Sequence, residues 1–322
     1  MNERPIRYRG TEYPVIERFR IGGRLYLAIA KIGAAGRRAY RVFDPSAKQM
    51  RALHLLPESD GTMKRVRTLQ QLTRGDNEML QIIDCQIQDG HVWVVLPWID
   101  GFSLRVVLDD IRQRRKPRIS APEAVRLVKG VAHTLSHLHR RKEIVHADVK
   151  PANLVLTKRT SLVLIDYGSA WQVQRTMQRS EGDGVSPSYA APELIQGRQA
   201  VNFRADIFSV GVILYELLTG QLPYDGVSGG AVTLPRDAQS RLKLVPPSRI
   251  SPERDKISDR IWRPVDALLA KSLALSPDDR FETPRAWLDA WDRCMIEIRA
   301  TKHKTSAPNF VVRALDWLQG RL

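Results

Sequence analysis

The sequence predicts an α+β protein with two lobes, a small antiparallel β lobe followed by a mostly helical one. Three observations predict it. The 322 residues suit about two compact units at roughly 150 residues each. The first hundred residues alternate short apolar runs with Gly, Pro and Asp turns, which is the pattern of strands. After Gly101 the apolar residues recur at helical spacing. The expected divisions are 1–100 for the strand-rich lobe, 101–298 for the helical lobe and 299–322 for a helical C-terminal extension.

The elements follow in order. Apolar runs at 15–22 and 25–32 meet at Gly22-Gly23. Runs at 38–43 and 50–56 flank Asp44-Pro45-Ser46, which is strong turn chemistry. Residues 63–72 fit one short helix, with Val66, Leu69 and Leu72 near one face. Residues 81–88 and 91–98 pair as a hairpin across Asp89-Gly90. The apolar run at 92–99 has the β-branched and aromatic content of a buried strand and is far too short for a membrane span.

The second lobe opens with an amphipathic helix at 122–140, introduced by Ser120 and Pro122. It carries Ala124, Val125, Val128, Val131, Ala132, Leu135 and Leu138. A β-and-loop region extends to about Glu193. A second apolar helix covers 204–219 and stops at Gly220. Residues 225–260 are rich in Gly, Pro, Ser and Arg, so loop with one short helix is expected there. Helices follow at 261–273 and 284–298, and Val311, Leu315 and Leu318 share a face of a terminal helix at 309–319.

Composition narrows the function. Hydrophobic residues at 43% exclude a disordered chain. Lys plus Arg number 51 against 35 acidic residues, and the net charge of +16 invites a nucleic-acid partner. The excess is spread out, however. Residues 1–97 hold 16 basic and 10 acidic residues, net +6, and the remainder carries net +10. No nucleic-acid motif accompanies it, so no specific nucleic-acid partner is expected. Cys85 and Cys294 form neither a disulfide framework nor a thiolate metal site. The N-terminus lacks the apolar run of a signal peptide. No transmembrane segment and a cytoplasmic location are the expectation.

The chemistry concentrates in HADVKPANLVL, residues 146–156, and LVLIDYGSA, residues 162–170. Asp148 and Asn153 lie five apart on a loop broken by Pro151. Asp166 follows the apolar run 162–165 and precedes Gly168. Two carboxylates and an amide converging from loops can hold a divalent metal and a phosphate chain, and Lys150 adds a point charge for a phosphoryl group.

These segments resemble the catalytic loop and the metal-binding DFG motif of eukaryotic-like (Hanks-type) Ser/Thr protein kinases. Three further segments fall in the order of that family. VSPSYAAPE at 185–193 is similar to its substrate-facing segment, RADIFSVGVILYELLTGQLPY at 204–224 to its central helix, and SPDDRFE at 276–282 to its late arginine motif. The likeness covers about residues 15–298. It implies a bilobal protein-kinase-like fold, ATP with Mg²⁺ or Mn²⁺, and transfer of the γ-phosphoryl group to a Ser/Thr hydroxyl of a protein substrate.

Residue by residue, the resemblance makes Asp148 the base that orients the substrate hydroxyl and Lys150 the contact to the transferred phosphate. Asn153 and Asp166 become the metal ligands. Ser186 matches the residue that supports the catalytic loop in Ser/Thr kinases, and His146 a structural histidine. Asp206 becomes a brace on the loop's backbone N–H groups, and Glu193 with Arg280 a buried ion pair. Leu96 falls at the gatekeeper, and Pro97, Trp98 and Ile99 at the hinge beside the adenine. Pro97 has no N–H to donate, so the base relies on neighbours such as Ile99.

The N-terminal lobe departs from the pattern. KIGAAGRR at 31–38 keeps Gly33 and Gly36 of the phosphate loop, with Lys31 and Arg38 at the other two positions, and fits either a phosphate cradle or an ordinary hairpin turn. AYRVFDPSAKQMRALHLLP at 39–57 is similar to a bacterial kinase pattern in which His54 takes the place of the strand lysine. A second register puts Arg41 there. Arg65 lies near the position of the helix glutamate. Two cations can bind phosphates but cannot rebuild a Lys–Glu lock. Ala147 replaces the arginine before the catalytic aspartate, and Tyr167 replaces Phe in the metal motif. Thr176 and Ser180 are candidate phosphoacceptors.

Two functions are therefore carried forward. One is a divergent active kinase, with a phosphate-rich ligand or an acidic protein substrate facing the cations at Lys31, Arg37, Arg38, Arg41 and Arg65. The other is a pseudokinase serving as scaffold or regulator. The C-terminal extension is expected either to pack on the helical lobe or to offer a helix to a second copy or a partner. A weak membrane contact through Phe310 and Trp317 is a third use of it.

Overall fold

The structure, a computed structural model, describes residues 4–32, 38–58, 61–75, 80–166, 171–172, 187–197 and 201–302. The architecture is α+β, in two compact units, Met1–Ile99 and Asp100–Leu322.

The first unit begins with a hairpin of β1 (Ile6–Tyr8) and β2 (Thr11–Tyr13). Strands β3 (Glu17–Ile21), β4 (Arg24–Ile32), β5 (Arg38–Asp44) and β6 (Gln49–Pro57) lead to helix α1 (Thr62–Thr73), then β7 (Asp84–Gln88) and β8 (His91–Pro97). The last six strands form one antiparallel sheet in the order β3-β4-β5-β6-β8-β7. The β3–β4, β5–β6 and β7–β8 turns fall at Gly22-Gly23, Asp44-Pro45-Ser46 and Asp89-Gly90, as the turn signals predict.

The sheet curls until the β3–β4 turn meets β7. Gly22 sits at a φ of +52°, which favours glycine, and a Cβ there would displace the end of the Gln86 side chain. Inside the curl, Phe19 packs edge-on against Tyr40 and Trp93, with ring centroids 4.8 and 5.1 Å apart. Ile21, Tyr26, Leu53 and Val95 complete this core. Because side chains alternate along a strand, Leu53 and Leu55 face the core while Ala52 and His54 face the other side. Cross-strand pairing puts Arg41 and Leu96 beside Ala52, and Ala39 and Val94 beside His54. Helix α1 packs on β7 and β8 with Val66 and Leu69 buried, while Leu72 stays partly exposed.

The second unit opens with β9 (Gly101–Ser103), α2 (Leu104–Arg112) and α3 (Ala121–Lys142). Short strands β10 (Ile144–Val145), β11 (Leu154–Thr157), β12 (Leu162–Leu164) and β13 (Trp171–Gln172) follow. Then come α4 (Pro192–Ile195), α5 (Arg204–Thr219), α6 (Arg236–Arg241), α7 (Pro247–Ile250), α8 (Asp259–Ser272) and α9 (Pro284–Lys302). Strands β12-β11-β9 form one sheet and β10 pairs with β13. Gly101 lies against the backbone of Leu156, where a Cβ would overlap the carbonyl oxygen.

The core of this unit lies between α3, α5 and α9. Every residue of α5 from Ala205 to Thr219 is buried, which explains its nearly unbroken apolar sequence. All seven predicted apolar positions of α3 are buried.

Ser120 and Pro122 open α3 as expected, although the Ser120 hydroxyl makes no capping hydrogen bond. The Glu253 carboxylate accepts the Ala121 N–H at 2.7 Å instead, and an anion there suits a helix N-terminus. Residues 225–260 hold two short helices, α6 and α7, rather than one, because Pro235 and Pro246-Pro247 each start a turn. Helix α2 and the β1–β2 hairpin were not anticipated. Ser103 starts α2 by accepting the Arg105 N–H at 3.3 Å. The expected helix at 309–319 lies outside the described residues. Among the described residues, no helix is long and apolar enough to cross a membrane.

Candidate active site

The site in the second unit is built on the segment between β10 and β12. Its foundation is Asp206, in the first turn of α5. One carboxylate oxygen accepts the Ala147 N–H, and the other accepts the His146 N–H and lies against Nε2 of His139 from α3, all at 2.8 Å. Burial acts to raise the Asp206 pKa, but the hydrogen bonds and positive charge of His139 and His146 outweigh it and hold it below the usual carboxylate range. Three elements are thus tied at one buried carboxylate.

That anchoring sets the loop. Ala147 is held at a φ of +60°, in the left-handed region. The next residue, Asp148, points its Oδ2 at Lys150 Nζ, 2.7 Å away, and at Asn153 Nδ2, 3.0 Å away. Asn153 Nδ2 also donates to the Asp148 carbonyl at 2.9 Å. A single 3-10 turn, Pro151–Asn153, brings Asn153 back toward Asp148. Pro151 favours this turn because its φ is already fixed.

Asp166 is placed through the backbone. Its predecessor Ile165 donates N–H to the Asn153 carbonyl at 2.8 Å, extending the β11–β12 pairing. Asp166 itself adopts a φ of +68°. The loop therefore brings together Asp148, Lys150 and Asn153, and the end of β12 places Asp166 one residue beyond the backbone bond from Ile165 to Asn153. Among the described residues there is no cluster of three or more His, Cys, Asp or Glu side chains suited to a metal. A Mg²⁺ site needs none, since one or two carboxylates with substrate phosphates suffice. Both side-chain hydrogen bonds described for Asn153 leave through Nδ2, and an amide oxygen and a carboxylate are the kind of hard donor such an ion prefers.

Two ion-pair systems support this unit. Glu193 of α4 receives Nη1 and Nη2 of Arg280 at 2.7 and 3.0 Å, with both side chains buried. Arg280 also donates to the carbonyls of Ala274, Arg204 and Leu275, so all its N–H groups are used. The second system centres on Glu216 of α5. It accepts the Tyr189 hydroxyl at 2.7 Å and an Arg112 guanidinium N–H from α2. Burial raises the Glu216 pKa, with Tyr189, Arg112 and Arg105 opposing the shift. Neither this network nor the role of His139 was anticipated. Their members lie far apart in sequence, and no motif joins them.

In the first unit His54 lies on β6, the strand before α1, and Arg41 on the neighbouring β5. Leu96 is buried at the end of β8, and Trp98 and Ile99 follow it half-buried. The Arg41 guanidinium carbon lies 5.1 Å from the Tyr13 ring centroid and 4.7 Å from that of Trp98. Lys31 and Arg38 are exposed, and α1 has no acidic residue where Arg65 stands. Gly33, Gly36, Arg37, Tyr167, Gly168, Thr176, Ser180 and Ser186 lie outside the described residues.

The family model of the protein kinase domain matches residues 45–291. Curated relatives agree. PknB, a serine/threonine-protein kinase of Mycolicibacterium smegmatis, is 32% identical over 203 residues, 59% of this chain and 28% of its own. PksC of Streptomyces coelicolor is 33% identical over 213 residues, 65% and 36% respectively. PknF of Mycobacterium tuberculosis is 29% identical over 224 residues, 67% and 41%. The chain therefore spans well under half the length of these relatives. The matched segment contains both site loops, and the chain belongs to the protein kinase domain family, with Hanks-type bacterial Ser/Thr kinases among its relatives.

Proposed function

We propose that this chain is a Ser/Thr protein kinase that transfers the γ-phosphoryl group of ATP to a hydroxyl of a protein substrate. The observation that carries this is the joint placement of Lys150 Nζ and Asn153 Nδ2 on Asp148 Oδ2, at 2.7 and 3.0 Å. A carboxylate held this way is oriented to accept a hydrogen bond from an incoming hydroxyl and then take its proton. The substrate oxygen forms a bond to the γ-phosphorus as the bond to the β,γ-bridging oxygen breaks, and ADP leaves. Lys150 lies close enough to Asp148 to meet the negative charge on the phosphoryl group in transit. Asn153 and Asp166 would hold Mg²⁺ or Mn²⁺, which when bound neutralises phosphate charge. A protein with a Ser/Thr acceptor is the partner, and the chain's excess of cations favours an acidic one.

Incubation with γ-labelled ATP, Mg²⁺ or Mn²⁺ and general protein substrates tests the proposal. Label transfer that falls at least a hundredfold in Asp148→Ala supports it. Transfer equal in the two proteins refutes it.

A second function, a pseudokinase that binds a partner without turnover, is favoured by His54 on β6 opposite an α1 that carries Arg65 and no acid. It predicts a purified protein with no label transfer and no Mg²⁺-dependent thermal shift with ATP.

A further inference from the structure

The β1–β2 hairpin lies outside the segment matched to the family. It nevertheless docks on one face of β5 by meeting two of its side chains, two residues apart. Tyr8 meets Phe43 with ring centroids 5.7 Å apart, and Tyr13 meets Arg41. Arg41 and Phe43 share the face of the sheet that also carries Ala52, His54 and Leu96.

The Arg41 guanidinium carbon also lies 4.7 Å from the centroid of the Trp98 ring. This position matters because β8 runs out there. Its pairing with β6 ends at Arg51 opposite Pro97, and its pairing with β7 ends earlier, at Asp84 opposite Val95. Pro97 has no N–H to extend a ladder. The Trp98 and Ile99 backbone thus leaves the sheet without strand pairing. Arg41 Nε is buried with no hydrogen-bond partner among the described residues, and the contacts described for this guanidinium are to the Tyr13 and Trp98 rings.

We propose that Arg41 is a positioning residue: in contact with both Tyr13 and Trp98, it ties the N-terminal hairpin to the end of β8 and fixes the backbone at Trp98 and Ile99. The proposal rests on the kinase function above for its consequence, since those two residues are the expected contacts of the adenine. Arg41 then serves nucleotide binding through the hinge backbone and not as a substitute for the strand lysine. The hairpin becomes a working part of the nucleotide-binding unit.

Hydrogen exchange and ATP binding test it together. The amides of Trp98 and Ile99 are followed in the full chain without nucleotide, alongside the thermal midpoint. Tyr13→Ala and Arg41→Gln are expected to speed their exchange at least tenfold, with β5 and β6 protection retained. Tyr13→Phe, which keeps the ring, and Arg41→Lys, which keeps a cation, are expected to stay much closer to wild type. The dissociation constant for Mg²⁺–ATP should weaken about tenfold in the first two variants, and the apparent KM for ATP should rise far more than kcat falls. Exchange within twofold of wild type in both overturns the positioning role. Faster exchange with unchanged ATP affinity overturns its role in binding. A wild-type protein that binds no ATP refutes the kinase function instead, and the exchange rates alone then decide the positioning role.

Discussion

Asp206 accepts the backbone N–H of Ala147 at 2.8 Å and so holds a non-glycine residue at a φ of +60°. The same carboxylate takes the His146 N–H through its other oxygen. An amide in its place has one acceptor and would turn an NH₂ group toward one of these donors. Asp206→Asn should therefore destabilise the second unit by about 2–4 kcal/mol, the range for a broken buried polar network. Urea denaturation measures that loss. Label transfer should fall further than stability, because the Asp148 loop loses the anchor that sets its backbone.

The same residue contributes to the acid response. Its pKa is lower in the folded protein than its ordinary value of 3.8. A depressed carboxylate contributes stability that is complete above its unfolded value and is lost as pH falls through the folded one. Wild-type stability should thus decline as pH drops below about 4–5. Asp206→Asn should show a shallower decline over the same window. Urea midpoints measured from pH 6 to pH 3 check this, and parallel curves would refute it.

Arg280 and Glu193 form a pair that cannot be half-removed. Arg280→Met leaves a buried carboxylate and three carbonyls without donors. The expected cost is about 3–5 kcal/mol. Combining it with Glu193→Leu should cost less than the sum of the single changes, since the stranded charge is gone. A double-mutant cycle by chemical denaturation gives the coupling.

Arg112 and Glu216 behave differently because burial already pushes the Glu216 carboxyl up. A raised pKa means that the group's contribution is fullest below the unfolded value and falls as pH rises through the folded one. Removing Arg112 takes away a cation that favours the ionised form, and the pKa rises further. Arg112→Gln should therefore cost more at pH 8, about 1–2 kcal/mol, than at pH 5, where protonation relieves the buried charge. Arg112 is itself 40% exposed, which keeps the expected cost modest.

How far the sequence displays this protein depends on whether a feature is contiguous. The site loop was legible because Asp148, Lys150 and Asn153 sit within six residues, and one turn around Pro151 folds them together. The two-unit fold was legible because the apolar period changes near Gly101. Helix α2 was not, since its nine residues carry two adjacent carboxylates, Asp109 and Asp110, and too few turns to establish a period. The β1–β2 hairpin was hidden by strands of three residues rich in polar side chains. His139 with Asp206 and Tyr13 with Arg41 were not legible for another reason. Each pair is separated by many residues, and while the sequence singles out Asp206 and Arg41, nothing in it marks His139 or Tyr13 as their partners.

Under the proposed kinase function, a change at His54 tests whether the face of β6 meets the nucleotide. It lies on β6 two residues beyond Ala52, on the face that carries Leu96 and Arg41. At neutral pH a histidine carries less positive charge than a lysine, so a phosphate chain facing this strand meets a weaker field. His54→Lys should tighten Mg²⁺–ATP binding by about tenfold, or about 1.4 kcal/mol. It should not raise kcat comparably, because α1 offers no glutamate to lock the new lysine in place. Calorimetric titration with Mg²⁺–ATP measures the first effect and initial rates of label transfer the second. A lysine variant that binds ATP no better than wild type would show that this strand face does not meet the phosphates, and would shift the nucleotide-anchoring role away from β6.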